Sequence, residues 1–200
     1  MASGALLIAC GALARELVEL LRRNNWNHIK IQCLPAELHN RPEQIPAAVE
    51  EAIKKYRDDY QHIFVAYADC GTGGMLDRVL ERHGVERIPG AHCYEFFAGT
   101  STFENMAEAE LGTFYLTDFL VRHFDRLIVQ GLGLDQHPEL MDLYFGNYKK
   151  VVYLSQSGSS ELSELAREQS AYLGLEYVEH YTGLTPVEER LREHVVTWQN

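Results

Sequence analysis

The sequence has few of the features that usually mark a function. It holds four cysteines in 200 residues. None of them forms a C-x2-C pair, so no zinc ribbon or finger follows from spacing. No G-x-S-x-G elbow and no H-E-x-x-H pair occurs, which leaves serine-hydrolase and zincin chemistry without support. The glycines of Gly71–Gly74 match neither G-x-G-x-x-G nor a P-loop, so a nucleotide site is not indicated. Basic residues are scarce: 18 Lys and Arg against 29 Asp and Glu give a net charge of −11. That balance argues against nucleic acid and against an anionic membrane surface as partners. No apolar run approaches the roughly 20 residues of a membrane span. Met1–Cys10 lacks a basic n-region and has the pattern of a first strand, not a signal peptide. These absences predict a cytoplasmic protein with reduced thiols, in which cysteines are free, metal-bound or catalytic.

What is present is an alternation of apolar runs and amphipathic stretches. Hydrophobic residues make up 46% and charged residues 24% of the chain, as expected of a globular protein. Strands are predicted at Ala5–Ala9, Ile29–Leu34, His62–Ala68, Arg126–Gln130, Lys150–Ser155 and Leu175–Glu179. Helices are predicted from Leu13 to Arg23, from Pro42 through Tyr60, from Met75 to His83, from Ser157 to Gly174, and from Pro186 onward. Ser101–Glu104 has capping-box spacing, and one long helix should run from there past Phe119. A short helix should begin near Pro138, and Pro89–Gly99 has no regular pattern. The fold class is therefore α/β: a mostly parallel sheet with helices on both faces, in Rossmann-like layers. The length suits a single domain over 1–200, with 84–99 as the place where two lobes would divide.

Three cysteines sit where strands should give way to loops. Cys10 closes the first strand, Cys70 opens Gly71–Gly74, and Cys93 lies in the polar loop Gly90–Glu95. In a parallel sheet the carboxyl ends of the strands share one rim, and ligands bind there. Three thiolates remote in sequence can meet on that rim. With His39, from the loop after the second strand, they fit a tetrahedral zinc site; alone they leave one position open for a small-molecule substrate. The same three fit an iron–sulfur cluster with one iron free of protein ligands. Gly71, Gly73 and Gly74 let backbone N–H groups turn toward an anion or cofactor at a helix start. His92 and Glu95 supply acid–base capacity beside Cys93. In a metal-free alternative, Cys70 is a thiolate nucleophile with His92 or His39 as base. Packing and turn formation account for the same residues if no ligand binds, and the protein is then a non-catalytic binding module. Cys33, inside an apolar strand, fills space. Asp118, among apolar residues, requires a partner.

Ala9–Leu13 with Arg15 and Glu16, Leu34–Ala36 with Leu38–Asn40, Cys70–Gly71, Pro89–Gly90 with Cys93–Tyr94, Gly131–Leu134 and Val152–Leu154 are the residues of a likeness. Through them the chain resembles a bacterial and archaeal family designated a domain of unknown function. The resemblance runs over nearly the whole chain and carries cysteines at Cys10, Cys70 and Cys93. Members of that family are often encoded near corrinoid-dependent methyltransferases for methylated amines. The resemblance thus implies one-carbon metabolism, with an accessory role beside a corrinoid methyltransferase partner.

Overall fold

Ala5–Cys10 is apolar throughout and forms strand β1, buried along its whole length. A strand buried on both faces belongs in the middle of a parallel sheet, and that is where β1 lies. The computed structural model describes residues 4–195 and residue 198. Within them the chain divides into two compact units: residues up to Phe96 with those from Val187 onward, and Phe97–Pro186.

The first unit continues with α1 (Ala14–Arg23), β2 (Ile29–Leu34), α2 (Ile45–Tyr56), β3 (His62–Ala66), α3 (Met75–His83), β4 (Glu86–Arg87) and α4 (Cys93–Ala98). Its sheet has the order β2-β1-β3-β4, with every pairing parallel. The helices form where apolar residues recur at helical spacing. Leu17 and Leu20 of α1, and Leu76, Val79 and Leu80 of α3, are all buried. Gly84 ends α3 at φ +61, returning its N–H to the Leu80 and Glu81 carbonyls. Parallel pairing brings the carboxyl ends of all four strands to one rim.

The second unit contains α5 (Thr100–Ala109), β5 (Thr113–Thr117), α6 (Asp118–Arg122), α7 (Met141–Phe145), β6 (Lys150–Ser155), α8 (Ser160–Tyr172) and β7 (Glu176–Tyr181), and α9 (Thr185–Val195) leads out of it. Its sheet, β5-β6-β7, is also wholly parallel. Leu116, Val121, Phe124, Val151, Tyr153 and Ala166 are among its core residues. The α/β layering is as expected, but the strands form two sheets where one was predicted. Cys93–Ala98 is a helix within a stretch expected to be irregular, and two further elements differ for a common reason. Thr113–Thr117 is a strand, not part of a long helix, because Gly112 interrupts the helical run and the segment is rich in β-branched and aromatic residues. Asp125–Val129 is a π-helix, not a strand, with Gln130 N–H donating to the Asp125 carbonyl at 2.8 Å. A short apolar run is compatible with either state until packing decides.

Asp118 has the partners its burial demands. Its carboxylate accepts from Tyr153 Oη at 2.6 Å, from Gln156 N at 3.0 Å and from Ser157 N at 3.1 Å. Gln156 Oε1 in turn accepts from Asp118 N at 2.9 Å, so this residue ties the end of β5 to the loop after β6. Among the described residues no helix is long and apolar enough to cross a membrane.

Candidate metal centre

The strand register assembles the site. Cys10 pairs with Leu34, so it lies beside the strand end from which the 3-10 turn Ala36–Asn40 carries His39. Ala9 pairs with Ala66 on the other side, which places Tyr67 and the Asp69–Gly74 loop next to Cys10. Val65 pairs with Arg87, and the chain then runs through Gly90 to Cys93. Two backbone bonds lace these last loops together: Asp69 N to Gly90 O at 3.1 Å and Cys70 N to Ala91 O at 2.9 Å.

The result is a compact group of donor atoms. His39, Cys70 and Cys93 each offer one ligand atom, and the three lie within 4.8 Å of one another. The Cys70 and Cys93 sulfurs approach to 3.1 Å. A hydrogen bond from the Cys70 thiol holds Cys93 well below the usual cysteine range, with His39 adding to the effect. The same bond, followed by burial, pushes Cys70 up. The two sulfurs thus form one coupled pair, in which a proton bound on either is felt by the other. Burial alone would lower the His39 pKa, but hydrogen bonding to Cys10 and Cys93 outweighs it and raises the value to about 10.

Cys10 stands outside the group of three and touches it through His39, with Sγ 3.5 Å from Nδ1. The expected triangle of sulfurs is thus a histidine and two cysteines with the third cysteine alongside. His39 Nδ1 also lies 3.2 Å from the Ala36 carbonyl. A carbonyl only accepts, so Nδ1 carries a proton and Nε2 is the nitrogen available to a metal. Such a backbone contact is the usual way a ligating histidine is oriented. Cys10 also accepts from Ala12 N at 3.3 Å, capping the turn that follows β1. Cys33, the remaining free cysteine, lies within β2 and is half-buried; burial, then Cys10, raises its pKa.

Tyr67 carried no signal in the sequence, since it ends an apolar strand. It is fully buried, stacks on His39 with ring centroids 6.0 Å apart, and its hydroxyl has no well-formed hydrogen-bond partner. Burial, then the neighbouring Cys10, Cys93 and Cys70 sulfurs, raises its pKa. Two cysteine sulfurs and an imidazole are the donor set that suits a soft or borderline metal ion.

Backbone conformation makes the approach of the sulfurs possible. Cys70 has φ +48, which is rare outside glycine and concentrates at functional sites. The loop is held by Asp69, whose carboxylate accepts from Gly74 N at 2.8 Å, Thr72 Oγ1 at 2.8 Å and Gly73 N at 3.1 Å. The Gly73 and Gly74 amides are thereby used inside the turn. Gly71 has φ +84 and packs near Pro42. Arg87 secures the other loop, gripping Asp77 with Nε–Oδ1 2.6 Å and Nη2–Oδ2 2.9 Å while Nη1 donates to Ile88 O at 2.7 Å. His92 is exposed just before α4, and Glu95 lies in its first turn with its carboxylate against Gly90. Gly90 has φ +102, and a Cβ there would strike that carboxylate. Gly90→Ala should therefore lower stability by about 1–3 kcal/mol and speed exchange of the Asp69 and Cys70 amides. Gly84→Ala, at φ +61 with nothing nearby, meets only the milder strain of the left-handed helical region and should cost less. If the two variants cost the same, the backbone at Gly90 does not require glycine.

Fold and site together define an α/β protein with a His39/Cys70/Cys93 group able to hold a metal. Residues 33–191 match the family described as Protein of unknown function (DUF1638), and the chain belongs to it. No curated protein and no solved structure matches the chain. The matched span includes His39, Tyr67, Cys70 and Cys93 and begins after Cys10.

Proposed function

We propose that this protein binds one zinc ion through His39, Cys70 and Cys93. The observation that supports this is the clustering of the three donors within 4.8 Å. Ligands of a single ion lie close to one another, whereas thiolates of an iron–sulfur cluster attach to different irons and stand further apart. Zn–S bonds of about 2.3 Å at a tetrahedral angle set sulfurs about 3.8 Å apart. The Cys70 and Cys93 sulfurs, 3.1 Å apart, would separate to that value around a shared zinc. Zinc bound by three protein groups supplies a Lewis acid with one open position for a thiol or a water. The Ala36 carbonyl and Cys10 orient His39, while Asp69 and Arg87 hold the loops carrying Cys70 and Cys93.

The proposed setting is one-carbon metabolism in the cytoplasm, with a small-molecule substrate or a corrinoid methyltransferase as the partner. It is supported by the sequence resemblance, and co-purification of a corrinoid protein with the tagged full chain would test it. The metal reading is tested by elemental analysis after zinc loading. One zinc per chain is expected, retained in Cys33→Ser and lost in Cys93→Ser. Zinc at about 1,000 times its dissociation constant stabilises by about 4 kcal/mol. For a chain of this length a chelator should then lower the melting temperature by about 8–16 °C. A folded protein that takes up no zinc, and whose thiols all alkylate at the rate of free cysteine, would sink the proposal.

A further inference from the structure

We infer that Cys70 and Cys93 form a reversible disulfide that switches the metal centre off, so that the site is controlled by peroxide-class oxidants. The inference rests on the zinc reading for its consequence but on a separate observation for its chemistry. The two sulfurs are 3.1 Å apart. Their loops are joined through the Cys70 N to Ala91 O bond, and Cys70 already occupies the strained backbone that brings its sulfur to Cys93. A covalent bond would bring the sulfurs about 1 Å closer than this contact. Cys10 is directed elsewhere, to His39 and Ala12 N, and Cys33 lies within β2. The pairing is therefore selective.

The chemistry balances as follows. The Cys93 sulfur, on the less buried residue of the two, attacks one oxygen of hydrogen peroxide, breaking the O–O bond and giving a sulfenic acid and hydroxide. The Cys70 sulfur then attacks the sulfenic sulfur, forming the S–S bond and releasing the second oxygen as water. In total, two thiols lose two electrons and two protons, and one peroxide becomes two waters. A disulfide cannot act as a pair of thiolate ligands, so His39 remains as the sole donor of the three and the zinc leaves.

The experiment treats zinc-loaded full-length protein with hydrogen peroxide. Zinc release is followed with a chromogenic chelator, and disulfides are mapped by mass spectrometry after alkylation. Zinc release and Cys70–Cys93 linkage should appear in equal amounts. Cys33→Ser should change neither, and dithiothreitol followed by fresh zinc should restore the starting state. Linkage through Cys10 or Cys33, zinc loss with only sulfinic acids formed, or zinc retention at full peroxide exposure would each overturn the inference. The same treatment of metal-free protein separates the two claims. If the protein binds no zinc but still forms the Cys70–Cys93 bond, the metal reading fails and the pairing stands. If zinc binds but neither form makes this bond, only the present inference falls.

Discussion

Cys93→Ser should weaken zinc binding by two to three orders of magnitude while the sheet of the first unit stays intact. Structural zinc sites return about 10–16 kcal/mol in total. Shared over four positions, this is roughly 2.5–4 kcal/mol per donor, and each 1.4 kcal/mol is tenfold. Cys70→Gly is the sharper companion. Glycine accepts φ +48 without strain, so this variant removes the ligand while relieving the backbone. Its metal-free stability should equal or exceed that of the metal-free parent, although its zinc affinity collapses. Competition titration gives the affinities, and hydrogen exchange reports where protection is lost. That loss should concentrate in residues 36–40, 69–74 and 90–95, with β5, β6 and β7 unaffected. If Cys70→Gly binds zinc as tightly as the parent, Cys70 is not a ligand.

Asp118→Ala should destabilise the second unit by about 3–5 kcal/mol. The residue is buried and accepts from Tyr153 Oη, Gln156 N and Ser157 N. Each donor left unsatisfied in a buried place costs about 1–3 kcal/mol, and water entering the space returns part of it. Tyr153→Phe removes one donor along with its need, so its cost should be closer to 1 kcal/mol. Denaturant unfolding with a probe in the second unit measures both. A smaller loss for Asp118→Ala than for Tyr153→Phe would show that the carboxylate does not organise the loop after β6.

These expectations differ in how far the sequence alone supports them. The ends of β1 and β3 were legible because short apolar runs give way to glycine, and that was enough to place Cys10 and Cys70 on a common rim. His39 was visible as a polar residue after β2. Three things were not legible. Cys93 has the sequence surroundings of a loop, but it begins α4, a six-residue helix whose position depends on Arg87 and Gly90. Tyr67 is indistinguishable in sequence from any aromatic residue at the end of a buried strand; its role comes from the residues packed around it. Cys10 belongs at the rim by topology, but its sulfur turns toward His39 Nδ1 and Ala12 N. Such side-chain choices are set by contacts a few ångströms across, and composition and periodicity do not carry them. The second unit shows the same limit at element scale. Thr113–Thr117 and Asp125–Val129 are short apolar segments whose state is settled by tertiary neighbours.

The position of α9 sets which of the two units can be completed first during synthesis. Val187 and Leu191 are fully buried, Arg192 Nη2 donates to Asn24 Oδ1 at 2.7 Å, and the His194 ring lies 4.3 Å from that of Phe64. These residues belong with the amino-terminal part of the molecule, yet they are translated after Phe97–Pro186. During synthesis the later-encoded unit is therefore complete before the earlier one can close its core. A chain cut after Pro186 would keep all three strands of the second sheet but lack the helix that completes the core of the first unit.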